Sequence, residues 1–163
     1  MFLLSLKAGL RAKEISFLTW GMVTDASGGV GGSLQLPDTS SKGKSGRTIP
    51  LNKQLKEALR DLYDSYPQIP SHGQYVVSSE RGEKMIPCNV SHWFKKVFRS
   101  LRLEGCSSHS GRRSFVTNAA KRIIEAGGSL RDVQQLAGHT SLQMTQSYIE
   151  GDNEAKRKVV ELI

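Results

Sequence analysis

The feature that most constrains this chain is a break in its hydrophobic rhythm. Before about residue 20 and after about residue 52, apolar residues recur at helical spacing. Between Trp20 and Leu51 that spacing disappears, and Gly28, Gly29, Gly31, Gly32, Ser40, Ser41, Gly43 and Gly46 cut the chain into pieces too short for a helix. The pieces Met22–Thr24, Ser33–Leu36 and Arg47–Ile49 read as small strands joined by turns, and Tyr75–Ser78 reads as another. The expected fold is therefore α+β and mostly helical, with helices packed around a small antiparallel sheet. A chain of 163 residues suffices for one such domain, since folding at this size buries roughly 70% of the unfolded surface and needs no disulfide staple.

The helical segments carry their own punctuation. Gly9 closes an opening helix, and Leu10–Thr19 resumes with Ala12, Ile15 and Phe17 or Leu18 on one side. Asn52 is a cap for a helix with Leu55, Leu59, Leu62 and Tyr66 inward, stopping at Pro67. A second long helix places Val90, Phe94, Val97 and Leu101 inward and a basic face outward. Ser107 or Ser108 caps the next, which buries Val116, Ala119, Ala120 and Ile123 and ends at Gly127-Gly128. Ser129 with Asp132 forms a capping-box variant for a helix terminated by Gly138, and a last helix from Ser141 carries Met144 and Tyr148.

Charge narrows the partner. With 23 Lys and Arg against 15 Asp and Glu the net charge is +8, which attracts polyanions before any specific contact forms. The excess is local: His92–Arg122 holds Lys95, Lys96, Arg99, Arg102, Arg112, Arg113, Lys121 and Arg122 against the single acid Glu104. Nucleic acid leads the list of partners. No apolar run approaches the ~18 residues that span a bilayer. Cys88 and Cys106 lack a Cys-x-x-Cys spacing, and no cleavable signal is visible, which points to a reducing cytoplasmic setting.

Familiar chemical motifs mostly fail. Gly43-Lys44-Ser45 resembles the end of a phosphate-binding loop, but Asp38 stands where the first glycine is required and a strand follows instead of a helix. The histidines and cysteines show no metal-ligand spacing, so neither metal nor cofactor is expected. The informative residues are Arg11, Lys42, His109, Arg112, His139 and Tyr148. Of these, His109 and Arg112 lie at i, i+3 at a helix start, where both project from one face beside the positive end of the helix dipole.

In this order and at these intervals the residues resemble the tyrosine recombinases, or phage-type integrases. The matching pieces are Gly9-Leu10-Arg11-Ala12-Lys13-Glu14-Ile15, Lys42 eight residues before Pro50, and His109-Ser110-Gly111-Arg112-Arg113-Ser114-Phe115. Leu136-Ala137-Gly138-His139 and Tyr148, nine residues after His139, complete the set. The resemblance runs from residue 1 to about 150 and implies the family's catalytic domain.

It also implies a reaction. Tyr148 attacks a DNA phosphorus, forms a 3′-phosphotyrosyl bond and expels a 5′-hydroxyl, which later attacks in reverse. Arg11 and Arg112 hold the non-bridging oxygens, Lys42 protonates the leaving oxygen with Lys44 as the competing candidate, and His109 helps remove the proton of Tyr148. His139 donates a hydrogen bond to a phosphate oxygen, Glu14 orients Arg11, and no metal takes part. Lys44, Arg47, Lys95, Lys96, Arg99 and Arg113 are the expected DNA contacts. The implied partners are double-stranded DNA and further copies of the chain in a tetramer, with no membrane.

Residues 1–163 are expected to form one catalytic domain without the N-terminal arm or core-binding domain of complete members. Residues 151–163 form a tail that docks on a neighbouring protomer or packs in cis. Two alternatives stay open: nicking and closing by a type IB topoisomerase, and a non-catalytic DNA-binding module.

Overall fold

The structure, a computed structural model, describes residues 1–38, 46–80, 82, 84–149, 157, 160 and 161. Its helices are α1 (Phe2–Ala8), α2 (Ala12–Phe17), α3 (Lys53–Asp64), α4 (Pro87–Ser100), α5 (Ser110–Arg122), α6 (Leu130–Ala137) and α7 (Leu142–Gln146). Strands β1 (Ser33–Leu36) and β2 (Arg47–Pro50) pair antiparallel, with Leu34 opposite Ile49 and Leu36 opposite Arg47. Leu34, Leu36 and Ile49 point into the core, the period-two alternation of a sheet with one buried face. The expected α+β, mostly helical architecture around a small antiparallel sheet is the one observed.

Two expected strands are absent. Around Met22 the chain instead forms a 3-10 turn, Trp20–Met22, and Thr24 makes only a single bridge to Val30. Trp20 drives this turn: it is fully buried, edge-on to Tyr63 and Tyr66 with ring centroids at 5.0 and 6.0 Å. Residues 75–78 make isolated bridges, Tyr75 to Thr19 and Ser78 to Lys84, because the partner chain after Thr19 enters that turn and cannot continue a ladder.

The helices follow their sequence signals more closely. Asn52 Oδ1 accepts the backbone N–H groups of Gln54 at 3.0 Å and Leu55 at 3.4 Å. Leu55 and Leu59 are buried and Leu62 is exposed; α3 ends at Asp64, so Tyr66 packs from beyond the helix. On α4 the inward row is Val90, Phe94 and Phe98, at strict i, i+4 spacing, and Leu101 is 60% exposed. The residue capping α5 is His109, while Ser107 and Ser110 brace the preceding loop: Ser107 N–H donates to Ser110 Oγ at 2.9 Å, and His109 N–H donates to Ser107 Oγ at 3.3 Å. The Ser129 box is present, with Ser129 N–H and Oγ both donating to Asp132 Oδ2 at 2.7 and 2.8 Å. Ser141 caps α7, whose last residue is Gln146, so Tyr148 stands in the turn beyond it.

The apolar interior has two parts. The larger joins α1, α2, α3, α4 and the sheet; the smaller consists of Val116, Ala120, Val133 and Ala137 between α5 and α6, with Tyr148 and Ile149 packed against it. Helix α1 crosses α5 closely because Gly111 has no side chain: a Cβ there would lie 2.6 Å from Ser5 Oγ. Gly9, in the left-handed region at φ 65°, likewise leaves room for the Phe115 ring. These two approaches bring the Gly9–Arg11 corner against the start of α5. Among the described residues no helix is long and apolar enough to cross a membrane.

Candidate active site

The corner after α1, the start of α5, the residues just after α6 and the turn after α7 converge on one cleft of about 390 Å³, lined by Arg11, His109, Arg112, Arg113, His139 and Tyr148 among others. Its floor is electrostatic. Glu14, buried at the first turn of α2, accepts the backbone N–H of Arg11 at 2.8 Å and Arg11 Nη1 at 3.0 Å. The same carboxylate takes a two-pronged pair from β2, with Arg47 Nη1 at 2.9 Å and Nη2 at 3.1 Å. Burial alone would raise the Glu14 pKa, but the hydrogen bond and charge of Arg47, and then the N–H and charge of Arg11, hold it below the ordinary carboxylate value.

Arg112 crosses between the two apolar clusters. Its Nη1 donates to Gly9 O and its Nη2 to Ala137 O, each at 2.6 Å, and the residue is 4% exposed. Burial first, and the Arg11 charge second, lower its pKa to about 10, so the guanidinium remains charged at neutral pH. Arg11, 27% exposed in its side chain, also sends Nη2 to Gly138 O at 3.3 Å. Two guanidiniums thus share the Glu14 carboxylate behind the cleft and Arg112 stands beside them without an ion pair among the described residues, so the surplus positive charge is suited to an anion.

His139 follows the left-handed Gly138 that ends α6, and its backbone is gripped on both sides by Gln134: His139 N–H donates to Gln134 O, and Gln134 Nε2 to His139 O, each at 3.1 Å. The residue is 6% exposed, and its ring lies 2.9 Å through Nδ1 from Thr145 Oγ1 and stacks on Tyr148 with centroids 5.6 Å apart at 20°. Burial, followed by the charges of Arg112, Arg11 and Arg47, lowers its pKa to about 4; at neutral pH the imidazole is uncharged.

Of the residues named from sequence, Arg11, His109, Arg112, His139 and Tyr148 line this cleft together. Lys42 and Lys44 lie outside the described residues. Arg113 is exposed and borders both the cleft and a neighbouring depression beside Tyr148. Lys95, Lys96 and Arg99 are exposed on the outer face of α4 and do not line the cleft. Arg47, expected to face DNA, is turned inward with its side chain 5% exposed, held by Glu14 and by Leu136 O, which accepts from Nε at 2.8 Å. Its strand position explains this: β2 runs alongside α6, and Glu14 offers a buried carboxylate. Thr145 was not legible from sequence as part of the site, because a lone threonine six residues after His139 fits no recognised spacing. Among the described residues no group of His, Cys, Asp and Glu is arranged to hold a metal.

Known proteins resemble this chain in sequence and in fold. The model of the phage integrase family matches residues 1–155. A tyrosine recombinase XerC of Rhizobium meliloti (strain 1021) is 31% identical over 146 residues, covering 89% of this chain and 42% of that protein. The crystal structure of XerA recombinase superimposes with a TM-score of 0.74 at 19% identity, over 98% of this chain and 55% of that one. The Tn1549 transposon integrase in complex with a circular intermediate DNA gives 0.72 at 18% identity, over 99% and 57%. These two likenesses concern the fold. The chain spans less than half the length of the curated relative and little more than half of either solved chain.

Proposed function

Because this chain belongs to the phage integrase family, we propose that it performs the strand cleavage and rejoining of site-specific DNA recombination, with residues 1–163 as one catalytic domain and double-stranded DNA as substrate. The observation that carries the reading is the meeting of Arg11 with His109, Arg112, His139 and Tyr148 around a single cleft, although about a hundred residues separate Arg11 from the first of the other four.

The chemistry requires such a meeting. Accelerations in the enzymatic range lower a barrier by about 8 to 23 kcal/mol, and one positioned donor contributes only about 3 to 4. Several donors must therefore act on the same phosphate. Arg11 and Arg112 supply planar guanidiniums for its two non-bridging oxygens, where lysine would keep the charge and lose the fork. Tyr148 Oη attacks phosphorus while the bond to the 5′ oxygen breaks, giving a 3′-phosphotyrosyl ester and a 5′-hydroxyl. The phenol proton passes toward His109, and the leaving oxygen takes a proton from Lys42. Reversal, with a 5′-hydroxyl as nucleophile, reseals the strand, and the ester conserves the bond energy without a nucleotide. His139 donates to a phosphate oxygen. Lys44, Lys95, Lys96, Arg99 and Arg113 contact the DNA backbone, and several copies assemble on DNA with residues 151–163 docking on a neighbour.

The test is a pool of nicked suicide duplexes, randomised around the nick so that the cleaved end is lost, incubated with the chain at low salt and resolved under denaturing conditions. A covalent protein–DNA band that is abolished by Tyr148→Phe is the expected result. A band of equal intensity in the phenylalanine variant, or none from the wild-type chain, overturns the proposal. Exchange of flanks between two captured duplexes distinguishes recombination from nicking and closing.

A further inference from the structure

Thr145 is fully buried in α7, and among the described residues its hydroxyl makes one hydrogen bond, to His139 Nδ1 at 2.9 Å. A hydroxyl both donates and accepts, and an uncharged imidazole carries one proton on one of its two nitrogens. Two arrangements fit that distance. In the first, Nδ1–H donates to Oγ1; the hydroxyl proton then has no acceptor inside a buried site, which is unfavourable. In the second, Oγ1–H donates to Nδ1, and both groups are satisfied. His139 Nε2 then carries the ring proton. That nitrogen has no hydrogen-bond partner among the described residues and is not among the buried unpartnered atoms, so it is open to solvent, and His139 lines the cleft that also holds Arg11 and Arg112.

We infer that Thr145 is a positioning residue that fixes the tautomer of His139, so that Nε2–H is always the donor presented to the cleft. The consequence for catalysis rests on the proposal that this cleft takes a scissile phosphate, which only accepts hydrogen bonds. The opposite tautomer would set a lone pair of Nε2 against its oxygens. Thr145 also belongs to the segment that carries the tyrosine: Tyr148 N–H donates to Thr145 O at 3.2 Å, and the Tyr148 ring stacks on His139. One short stretch of chain therefore sets both the proton on the histidine and the position of the phenol. A structural role alone would not depend on which ring nitrogen is protonated.

The experiment is long-range nitrogen–proton correlation NMR of the 163-residue chain, labelled in histidine, at neutral pH and without DNA. His139 is identified by the signals lost in His139→Gln. The expected spectrum shows Nδ1 unprotonated and Nε2 protonated in the wild type and in Thr145→Ser, with a mixture of tautomers in the near-isosteric Thr145→Val. In the suicide-duplex assay, adduct formation should slow in proportion to the lost tautomer, about tenfold if a tenth of the molecules retain it, and Thr145→Ser should restore it. A wild-type spectrum with Nδ1 protonated overturns the inference, as does a Thr145→Val variant with an unchanged tautomer. The wild-type and serine spectra decide the matter if the valine variant does not fold. The expected tautomers with no adduct from any variant would refute strand cleavage while supporting the role of Thr145.

Discussion

On one wall of the cleft Arg11 and Arg112, with Arg47 buried behind them, are tied into the fold by a buried carboxylate and by the carbonyls of Gly9, Leu136, Ala137 and Gly138. On the other, Tyr148 hangs from the turn after α7, a helix of five residues whose Leu142 and Met144 face solvent. The contrast teaches how the two jobs differ. Charges that stabilise a transition state act best when they need no reorganisation, so they are fixed in advance. A nucleophile must approach, bond, and later leave, and Tyr148 is held by packing on the α5–α6 cluster and by its stack on His139, with no ion pair fixing it among the described residues. His139 stands at the join, with its backbone on the rigid side and its ring on the tyrosine.

The largest expected effect breaks the rigid wall. Arg47→Met leaves Glu14 buried with a single partner and strips Leu136 O of its donor, so stability should fall by about 3 to 5 kcal/mol. Urea denaturation reads this as a lower midpoint at unchanged slope. Adding Glu14→Gln in the same chain should recover part of the loss, because the stranded charge is gone. A loss below about 1 kcal/mol would mean that the wall does not depend on this pair.

Next in size is a pH effect at the join. His139 is held near 4 in the fold and titrates near 6.5 when unfolded. Between those values the unfolded chain binds a proton that the folded chain refuses. Stability from this group is therefore complete above about pH 6.5 and is lost as pH falls toward about 4, amounting to about 2 to 3 kcal/mol. Denaturation of wild type and His139→Gln across that range should converge on acidification. A bound phosphate opposes the Arg11, Arg47 and Arg112 charges that depress the value, so DNA should shift the transition to lower stability loss at the same pH.

How much of this was legible in the sequence follows from what each device is made of. Local chemistry was readable: Asn52, Ser129 with Asp132, and Gly138 act within a few residues of themselves, and each does what its type and position dictate. The resemblance brought out Arg11, His109, Arg112, His139 and Tyr148, because their identities persist in order along the chain. Long-range partnership was not readable. Arg47 looks like any basic residue at the start of a strand until β2 sets it against Glu14, 33 positions away in sequence. Gly111 looks like a defect in a helix until α1 is seen to cross there. The lost strands at Met22 and Tyr75 have the same origin, since burying Trp20 outweighs the local preference for an extended chain.

The smallest expected effect tests the tyrosine wall directly. Ser141 Oγ accepts Met144 N–H at 3.4 Å and is the cap of α7; Ser141→Ala should weaken that helix by about 0.5 to 1 kcal/mol. If the tyrosine wall opens on its own, hydrogen exchange should accelerate about three- to fivefold at the amides of residues 145–149 while those of α5 and α6 keep their wild-type rates. The denaturation midpoint should hardly move, because the segment contributes little to the global transition. If the same substitution lowers the midpoint and speeds exchange equally in α5, the two walls unfold as one body and the division between a fixed electrostatic frame and a separately moving nucleophile fails. Exchange confined to α7 would instead place the approach of Tyr148 in a local equilibrium that DNA can bias without disturbing the arginines.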